Sequence, residues 1–414
     1  MAWSTESSQN MSETIPSALP KRPTSYEELE QAIRAIRGNG DDGGIRRGRV
    51  RIDGSASLSL TRFDGGRPVQ TISTLRMNKL VEHAAADMTV IIQAGMTLEG
   101  LQKHLAWQNQ WLPVDPPAVR GRFPAQRTIG GMIATNSLGP LRFGFGDWRF
   151  LIMGMRWVDA GGRLIKGGGR TVKNVAGYSS PRMMIGSCGS LGVIAEVTLR
   201  TFARPADEQC VVIYCRDARE AEEFLASVLI SPTTPGYVQA VGGQTFATNT
   251  LGLPAANGIA LIIGFLGRPE VCTAQVDLIR GLAGPRNIET IAQTAAQAGR
   301  LRLWMTSEPP IQGDGFGLRI FTASSRVSTL LMELEAAGAW VVSEAGTGVI
   351  RGVISGIAPG PEGRAKVQQL AASQDARLLI TNGFRSEQPF SPNDIYKRMK
   401  FGLDPQGIFG DPPD

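Results

Sequence analysis

The sequence predicts an α+β protein built from at least two units, and three observations predict it. Up to Pro205, short β-like runs alternate with glycine-rich turns; beyond it, strands and helices alternate in longer units. The chain has 414 residues, more than one hydrophobic core usually organises. It also carries 50 glycines among 42% apolar and 19% charged residues, the make-up of a loop-rich globular enzyme rather than a helical bundle.

The elements follow in order. Residues 1–22 contain no charged segment followed by an apolar one, so they predict a disordered tail rather than a leader peptide. "SYEELEQAIRAIRG" predicts a helix from Tyr26 to about Arg37. Ser25 and Glu28 make a capping box, Leu29, Ile33 and Ile36 recur at helical spacing, and Gly38 closes it. The glycines of "GNGDDGG" match a dinucleotide signature only in spelling, because a helix precedes them and a strand follows. "RVRID", "VQTIST" and "MTVIIQAG" predict strands, and "TLEGLQKHLAWQNQ" a helix capped by Thr97. The prolines of "WLPVDPP" then impose an extended connector. "FLIMGMRWVDAGGRLIKGGG" predicts a hairpin turning at Asp159–Gly162, and a strand from Val193 to Thr201 leads to a boundary at Pro205. After it, "CVVIYC", "IALIIGFLG", "LRIFT", "WVVSEA" and "GVIRGVISGI" predict strands. Helices are expected from Ala218, Val271 and Val327, giving an antiparallel sheet with helices on one face.

Charge and cysteines narrow the function classes. The net charge of +6 is mild, and its arginine clusters (Arg46, Arg47, Arg49, Arg51 and Arg120, Arg122, Arg127) lack interleaved aromatics, which argues against nucleic acid. The four cysteines show no C-x-x-C, so neither a zinc ribbon nor an iron–sulfur cluster is expected, and a reducing, cytoplasmic setting is. No apolar run approaches a membrane span.

Three glycine-rich segments carry the functional signal: "TIGGMIATNSLGP", "KGGGRTVKNVAGY" and "MIGSCGSLGVIAEV". Each sets unshielded backbone N–H groups beside small donors (Thr128, Thr135, Asn136; Thr171, Asn174; Ser187, Ser190), suited to a diphosphate, a carboxylate or the edge of a flat heterocycle. Singly, any of them is equally at home as tight turns holding a sheet. Their order and wording resemble the FAD-linked oxidase family, with the vanillyl-alcohol-oxidase or PCMH-type FAD-binding fold. "GGGRTVKNVAGY" followed by "PRMMIGSCGSLGVIAEVTLRTFARP" is most similar to the FAD-binding subunits of glycolate oxidases. The resemblance runs from about Ser25 to Phe409 and is dense between Leu112 and Pro205.

That resemblance implies a PCMH-type FAD-binding domain of two α/β subdomains over 23–205. An α+β cap with an antiparallel sheet would span 206–388, and a segment over 389–414 would return to the first domain. It implies FAD beside Pro116, Thr128, Ile129, Gly130, Gly131, Ala134, Thr135, Asn136 and Gly139. The backbone of Gly189, Leu191, Gly192, Val193 and Ile194 would hold the ring or ribityl, with Lys173, Asn174, Gly177 and Tyr178 near the ring. The family's diphosphate loop is here "RIDGSASLSL", so Gly54, Ser55, Ala56 and Ser57 take that place. Asp53 would repel a diphosphate unless it turns away or pairs with Arg51. "GYSSP" and Gly410 also depart from the family pattern, where an acid and an asparagine are usual.

The implied activity is oxidation of a 2-hydroxy acid, shared with a sister flavoprotein subunit and an iron–sulfur subunit. The two histidines, His83 and His104, lie in no flavin-attachment motif, and the histidine-rich metal motif of larger relatives is absent. No catalytic residue or metal ligand is assigned; Lys173, Tyr178 and Arg351 are the polar candidates, the first and last equally readable as ion-pair or interface residues. A standalone FAD-dependent oxidoreductase and a flavin-free structural subunit are the alternatives.

Overall fold

The computed structural model describes residues 21–38, 48–54, 68–118, 126–169, 180–249, 251–307, 309, 315–356, 361–373, 375–382 and 394–411. Helix α1 (Tyr26–Arg37) is capped by Ser25, whose Oγ accepts from the Glu28 amide at 3.2 Å. The reciprocal arm of the capping box lands one residue early, because the Glu28 carboxylate accepts from the amide and hydroxyl of Thr24 at 2.7 and 3.0 Å. Leu29, Ile33 and Ile36 bury their side chains as the spacing requires. Strand β1 (Arg49–Asp53) pairs in parallel with β2 (Val69–Ser73).

A five-stranded antiparallel sheet follows. Its strands are β3 (Leu80–Ala84), β4 (Thr89–Gln93), β6 (Ile152–Val158), β7 (Leu164–Gly168) and β8 (Val193–Arg200), in the order β3-β4-β8-β6-β7. Between β4 and β6 lie α2 (Leu98–Ala106), β5 (Gln110–Trp111), α3 (Ile129–Ala134), α4 (Arg142–Phe145) and α5 (Trp148–Leu151); α6 (Pro181–Met184) precedes β8. One face of this sheet packs on α2, α3 and α5 through Val90, Ile92, Leu101, Ile129, Met132 and Trp148. The other packs on α1 through Val158, Val193 and Ala195. The short β9 (Phe202–Ala203) pairs with β5 and ends the unit.

The remaining strands form one sheet of eight. They are β10 (Asp207–Cys215), β11 (Tyr237–Gly242), β12 (Ile259–Gly267), β13 (Glu289–Gln293), β14 (Gly315–Phe321), β15 (Ala339–Glu344), β16 (Val349–Ser355) and β17 (Arg377–Asn382), ordered β13-β10-β12-β11-β15-β16-β14-β17. The helices between them are α7 (Ala218–Leu229), α8 (Gly243–Phe246), α9 (Pro269–Ala283), α10 (Ala295–Thr306), α11 (Val327–Ala336) and α12 (Pro361–Ser373). Helices α7, α9, α11 and α12 cover one face in the largest core. The opposite face also carries helices, since Phe246 of α8 and Ala298, Leu301 and Met305 of α10 pack against Val212, Val241 and Ile262. Covering on both faces explains why β12 is apolar throughout rather than alternating.

The chain then returns to the first unit. Helix α13 (Asp394–Leu403) sets Tyr396, Met399 and Leu403 against the core of the five-stranded sheet, and Ile408 and Phe409 join the core beneath α1. The Val50 amide donates to the Ile408 carbonyl at 2.8 Å, tying the ends of the chain together.

Candidate cofactor site

The first glycine-rich segment is a short helix rather than an open loop. Thr128 caps α3, its Oγ1 accepting from the Gly131 amide at 3.2 Å. The Ile129 and Gly130 amides donate to the Met96 and Ala94 carbonyls, both at 2.8 Å, so the helix start is stitched to the end of β4. Gly130 is required there, because a Cβ would lie 2.7 Å from Ala94 Cβ and 2.9 Å from its carbonyl oxygen. Gly54 meets the same cap from the other side: a side chain on it would collide with Thr128 Oγ1. The one glycine kept in "RIDGSASLSL" is thus the one that lets this backbone reach α3.

The next residues lock the loop to the proline connector. Arg127, 2% exposed, donates to Ser137 Oγ at 2.7 Å, Thr135 Oγ1 at 3.3 Å and the Pro117 carbonyl at 3.2 Å. Asn136 adopts a left-handed conformation (φ 46°), and its buried Oδ1 has no hydrogen-bond partner. Gly139 is pressed on the Asp115 carbonyl, where a side chain would collide, and Pro116 is buried beside it.

The third glycine-rich segment is zipped to the first. The Gly186 amide donates to the Ile133 carbonyl at 3.0 Å and the Cys188 amide to that of Ala134 at 2.8 Å. Gly186, Cys188 and Gly189 take positive φ of 75°, 51° and 80°, so the chain coils tightly. Burial pushes the Cys188 thiol up to about 12, which keeps it neutral. Ser187 Oγ is buried without a partner. Leu191, Val193 and Ile194 turn their side chains into the core, and Val193 and Ile194 pair with Val158 and Trp157 of β6. From α13, Tyr396 Oη donates to Ser190 Oγ at 2.8 Å and Lys400 Nζ to the Ser190 carbonyl at 2.6 Å.

The eight-stranded sheet contributes a charged cluster. Arg319 of β14 donates to the Asn136 carbonyl at 3.3 Å, and its register partner on β16 is Arg351, 3% exposed, which donates to the Met305 carbonyl. Glu344 of β15 is 2% exposed, with Oε1 lacking a hydrogen-bond partner and Oε2 accepting from Thr347 Oγ1 at 3.2 Å. Burial raises its carboxyl above the usual range, while Arg319, Arg142 and Arg351 pull it back. Sequence reasoning had singled out Arg351 alone. Its neighbours were signalled only by being charges inside otherwise apolar strands.

Other expected residues fall elsewhere. Ser55, Ala56, Ser57, Lys173, Asn174, Gly177 and Tyr178 lie outside the described residues. Asp53 has a buried, unpartnered Oδ1; burial raises its carboxyl and the charge of Arg51 opposes that rise. His83 and His104 meet each other, ring centroids 5.3 Å apart, on β3 and α2, with His83 Nε2 held at 3.1 Å from Gln110 Oε1. Burial and His83 together lower the His104 pKa. Among the described residues no cluster of histidine, cysteine and carboxylate side chains could hold a metal, and no helix is long and apolar enough to cross a membrane.

Residues 19–168 match the family model described as FAD binding domain. The fold aligns with that of alkyldihydroxyacetonephosphate synthase over 94% of this chain and 75% of that one, with a TM-score of 0.66 at 16% identity. The chain has the PCMH-type FAD-binding fold, and FAD is its cofactor. It is 32% identical over 198 residues to D-2-hydroxyglutarate dehydrogenase of Xanthomonas citri, covering 46% of this chain and 38% of that protein. It is 33% identical over 142 residues to glycolate oxidase subunit GlcE of Escherichia coli, covering 34% and 39%. Glycolate oxidase subunit GlcD of Bacillus subtilis is 24% identical over 228 residues, covering 54% and 47%. The chain thus aligns with less than half the length of each of these relatives.

The described residues fit a flavin nucleotide. Glycines permit close backbone approach on two zipped loops, and an acceptor (Asn136 Oδ1) and a hydroxyl (Ser187 Oγ) stand buried without partners on those loops. Asp53 is the discordant member.

Proposed function

We propose that this chain is the FAD-binding subunit of a glycolate oxidase (glycolate dehydrogenase) complex. In this reading a 2-hydroxy acid is oxidised to a 2-oxo acid, and electrons pass through flavin to an iron–sulfur partner beside a sister flavoprotein subunit. We take 23–205 with 389–414 as the FAD-binding domain and 206–388 as the cap, in a cytoplasmic complex at most peripheral to a membrane. The observation that carries the reading is the pair of zipped glycine loops beside a cluster formed by Arg319 and Arg351 of the cap and Arg142 of α4. Bound FAD supplies acceptance of two electrons. The chain's own residues do the rest. Thr128–Gly131, Ala134–Asn136 and Gly139 line the cofactor, the backbone of Gly189–Ile194 holds the ring region, and the buried cap excludes water. Arg142, Arg319 and Arg351 gather around the buried Glu344, which makes the cluster a positively charged setting for an anion such as a carboxylate.

Both histidines are spent on each other at the β3–α2 seam, so the cap supplies no imidazole base. That supports a chain that works with catalytic partners rather than alone. Asp53, half-buried next to Gly54 with its carboxyl raised by burial, is the residue that argues against a diphosphate at that loop. The test is the visible spectrum of the purified chain with acid release of flavin, then glycolate turnover with and without partner subunits. One FAD per chain and turnover only with partners is the expected result. A colourless chain that takes up no FAD sinks the reading, and rapid turnover by the chain alone sinks the division of labour.

A further inference from the structure

We infer that Asp115 and Arg302 form a positioning pair that couples the seating of the cap to the shape of the flavin site. The inference rests on the reading that this chain binds FAD. Asp115 stands in the proline connector and is 7% exposed. Three of its atoms are engaged, two by the loop after α3 and one by the cap. Its carbonyl oxygen packs on Gly139, its Oδ1 accepts from the Leu141 amide at 3.1 Å, and its Oδ2 accepts from Arg302 Nη1 at 3.0 Å. Arg302 belongs to α10 and turns its other edge to Glu208 of β10, with Nε–Oε1 and Nη2–Oε2 distances of 2.8 and 3.0 Å. The same seam carries a backbone bond from the Ala118 amide to the Thr306 carbonyl at 2.8 Å. One carboxylate therefore joins the connector, the loop after α3 and the cap.

The arrangement is a poor way to gain stability. One largely buried guanidinium serves two carboxylates, so a negative charge is left over in a mostly enclosed site, and apolar residues of equal volume would fold at least as well. What the pair supplies is direction, because a guanidinium donates to its partners in one plane. From Arg302 the chain of contacts continues along α10 to the Met305 carbonyl, which accepts from Arg351, and Arg351 faces Glu344. A shift of α10 would move both the connector that lines the cofactor and the arginine cluster above it.

The experiment uses the full chain and four proteins: wild type, Asp115→Asn, Arg302→Met and the double variant. FAD affinity is measured by fluorescence titration, and the melting temperature is measured without FAD. Asparagine keeps an acceptor for Leu141 while removing the charge. The expected result is an FAD Kd raised about tenfold in each single variant, a double variant no worse than the weaker single, and no fall in melting temperature for Asp115→Asn. A Kd within about twofold of wild type overturns the inference, as does a loss of affinity that only tracks a loss of melting temperature. If wild type binds no FAD, the cofactor reading fails by itself, and the pair is judged by hydrogen exchange. Faster exchange of the Leu141 and Ala118 amides in Arg302→Met then supports the coupling, and unchanged exchange overturns it.

Discussion

Replacing Asp115 by asparagine should change how stability depends on pH, and the size of the effect can be worked from its surroundings. Burial pushes the Asp115 carboxyl from 3.8 to about 6, against the pull of Arg302 and the Leu141 amide and with a small push from Glu208. The folded state therefore holds that proton more tightly than the unfolded chain. The resulting stabilisation is complete below pH 3.8 and is lost as pH rises through about 6. A rise of roughly two units corresponds to ~3 kcal/mol between those limits. Spread over 414 residues at ~2.1 cal/mol/K each, that is a melting-temperature difference of about 3 °C. The assay is thermal denaturation of wild type and Asp115→Asn, without FAD, at intervals from pH 4 to 7.5. Glu344, also raised by burial, titrates in the same direction in both proteins, and because Asp115 is the smallest of the named influences on it, most of its contribution cancels in the difference. Wild type should lose about 3 °C relative to the variant across pH 4–6 and nothing further above 7. Parallel curves throughout would show that Asp115 is not held protonated by its burial, and the reasoning would be wrong.

Four further substitutions probe the loops. Gly130→Ala should cost roughly 1–3 kcal/mol, because its methyl must displace Ala94, just past the end of β4, and an unchanged melting temperature would contradict that contact. Gly189→Ala meets a left-handed φ of 80° and Ile52 Cδ1 at 3.1 Å, so a loss of roughly 1–2 kcal/mol is expected in thermal denaturation. Tyr396→Phe removes one hydrogen bond to Ser190 and should cost about 1 kcal/mol. Lys400→Met should cost more, about 3 kcal/mol, since it leaves the buried Asp404 carboxylate and the Ser190 and Phe409 carbonyls without their shared donor. Equal melting temperatures for the last two variants would count against the buried lysine.

The parts of this protein that were legible in its sequence are those where a local pattern and the final packing agree. Helices α1 and α2 were, because their apolar residues recur at 3.6 spacing and their caps are serine and threonine. Helix α10 was not: Gly299 and its two arginines blur the stripe, although Thr294 and Gln297 form a capping box. Helix α3 is not legible, because two of its six residues are glycine; bonds to the Ala94 and Met96 carbonyls and the Thr128 cap override that propensity. The cofactor loops were legible as motifs, since close backbone approach leaves glycines in the text. The charged cluster was not, because Arg142, Arg319, Glu344 and Arg351 come from four elements of both units, brought together only by the fold. Yet a trace of it is in the sequence. In "LRIF", "VVSEA" and "VIRG" a charge interrupts an apolar strand, and a strand covered on both faces cannot bury a charge without partners. Three such strands in one sheet must set their charges against one another and against whatever meets the sheet at that point. What meets it is the Asn136 carbonyl, at the end of the helix that begins "TIGGMIA".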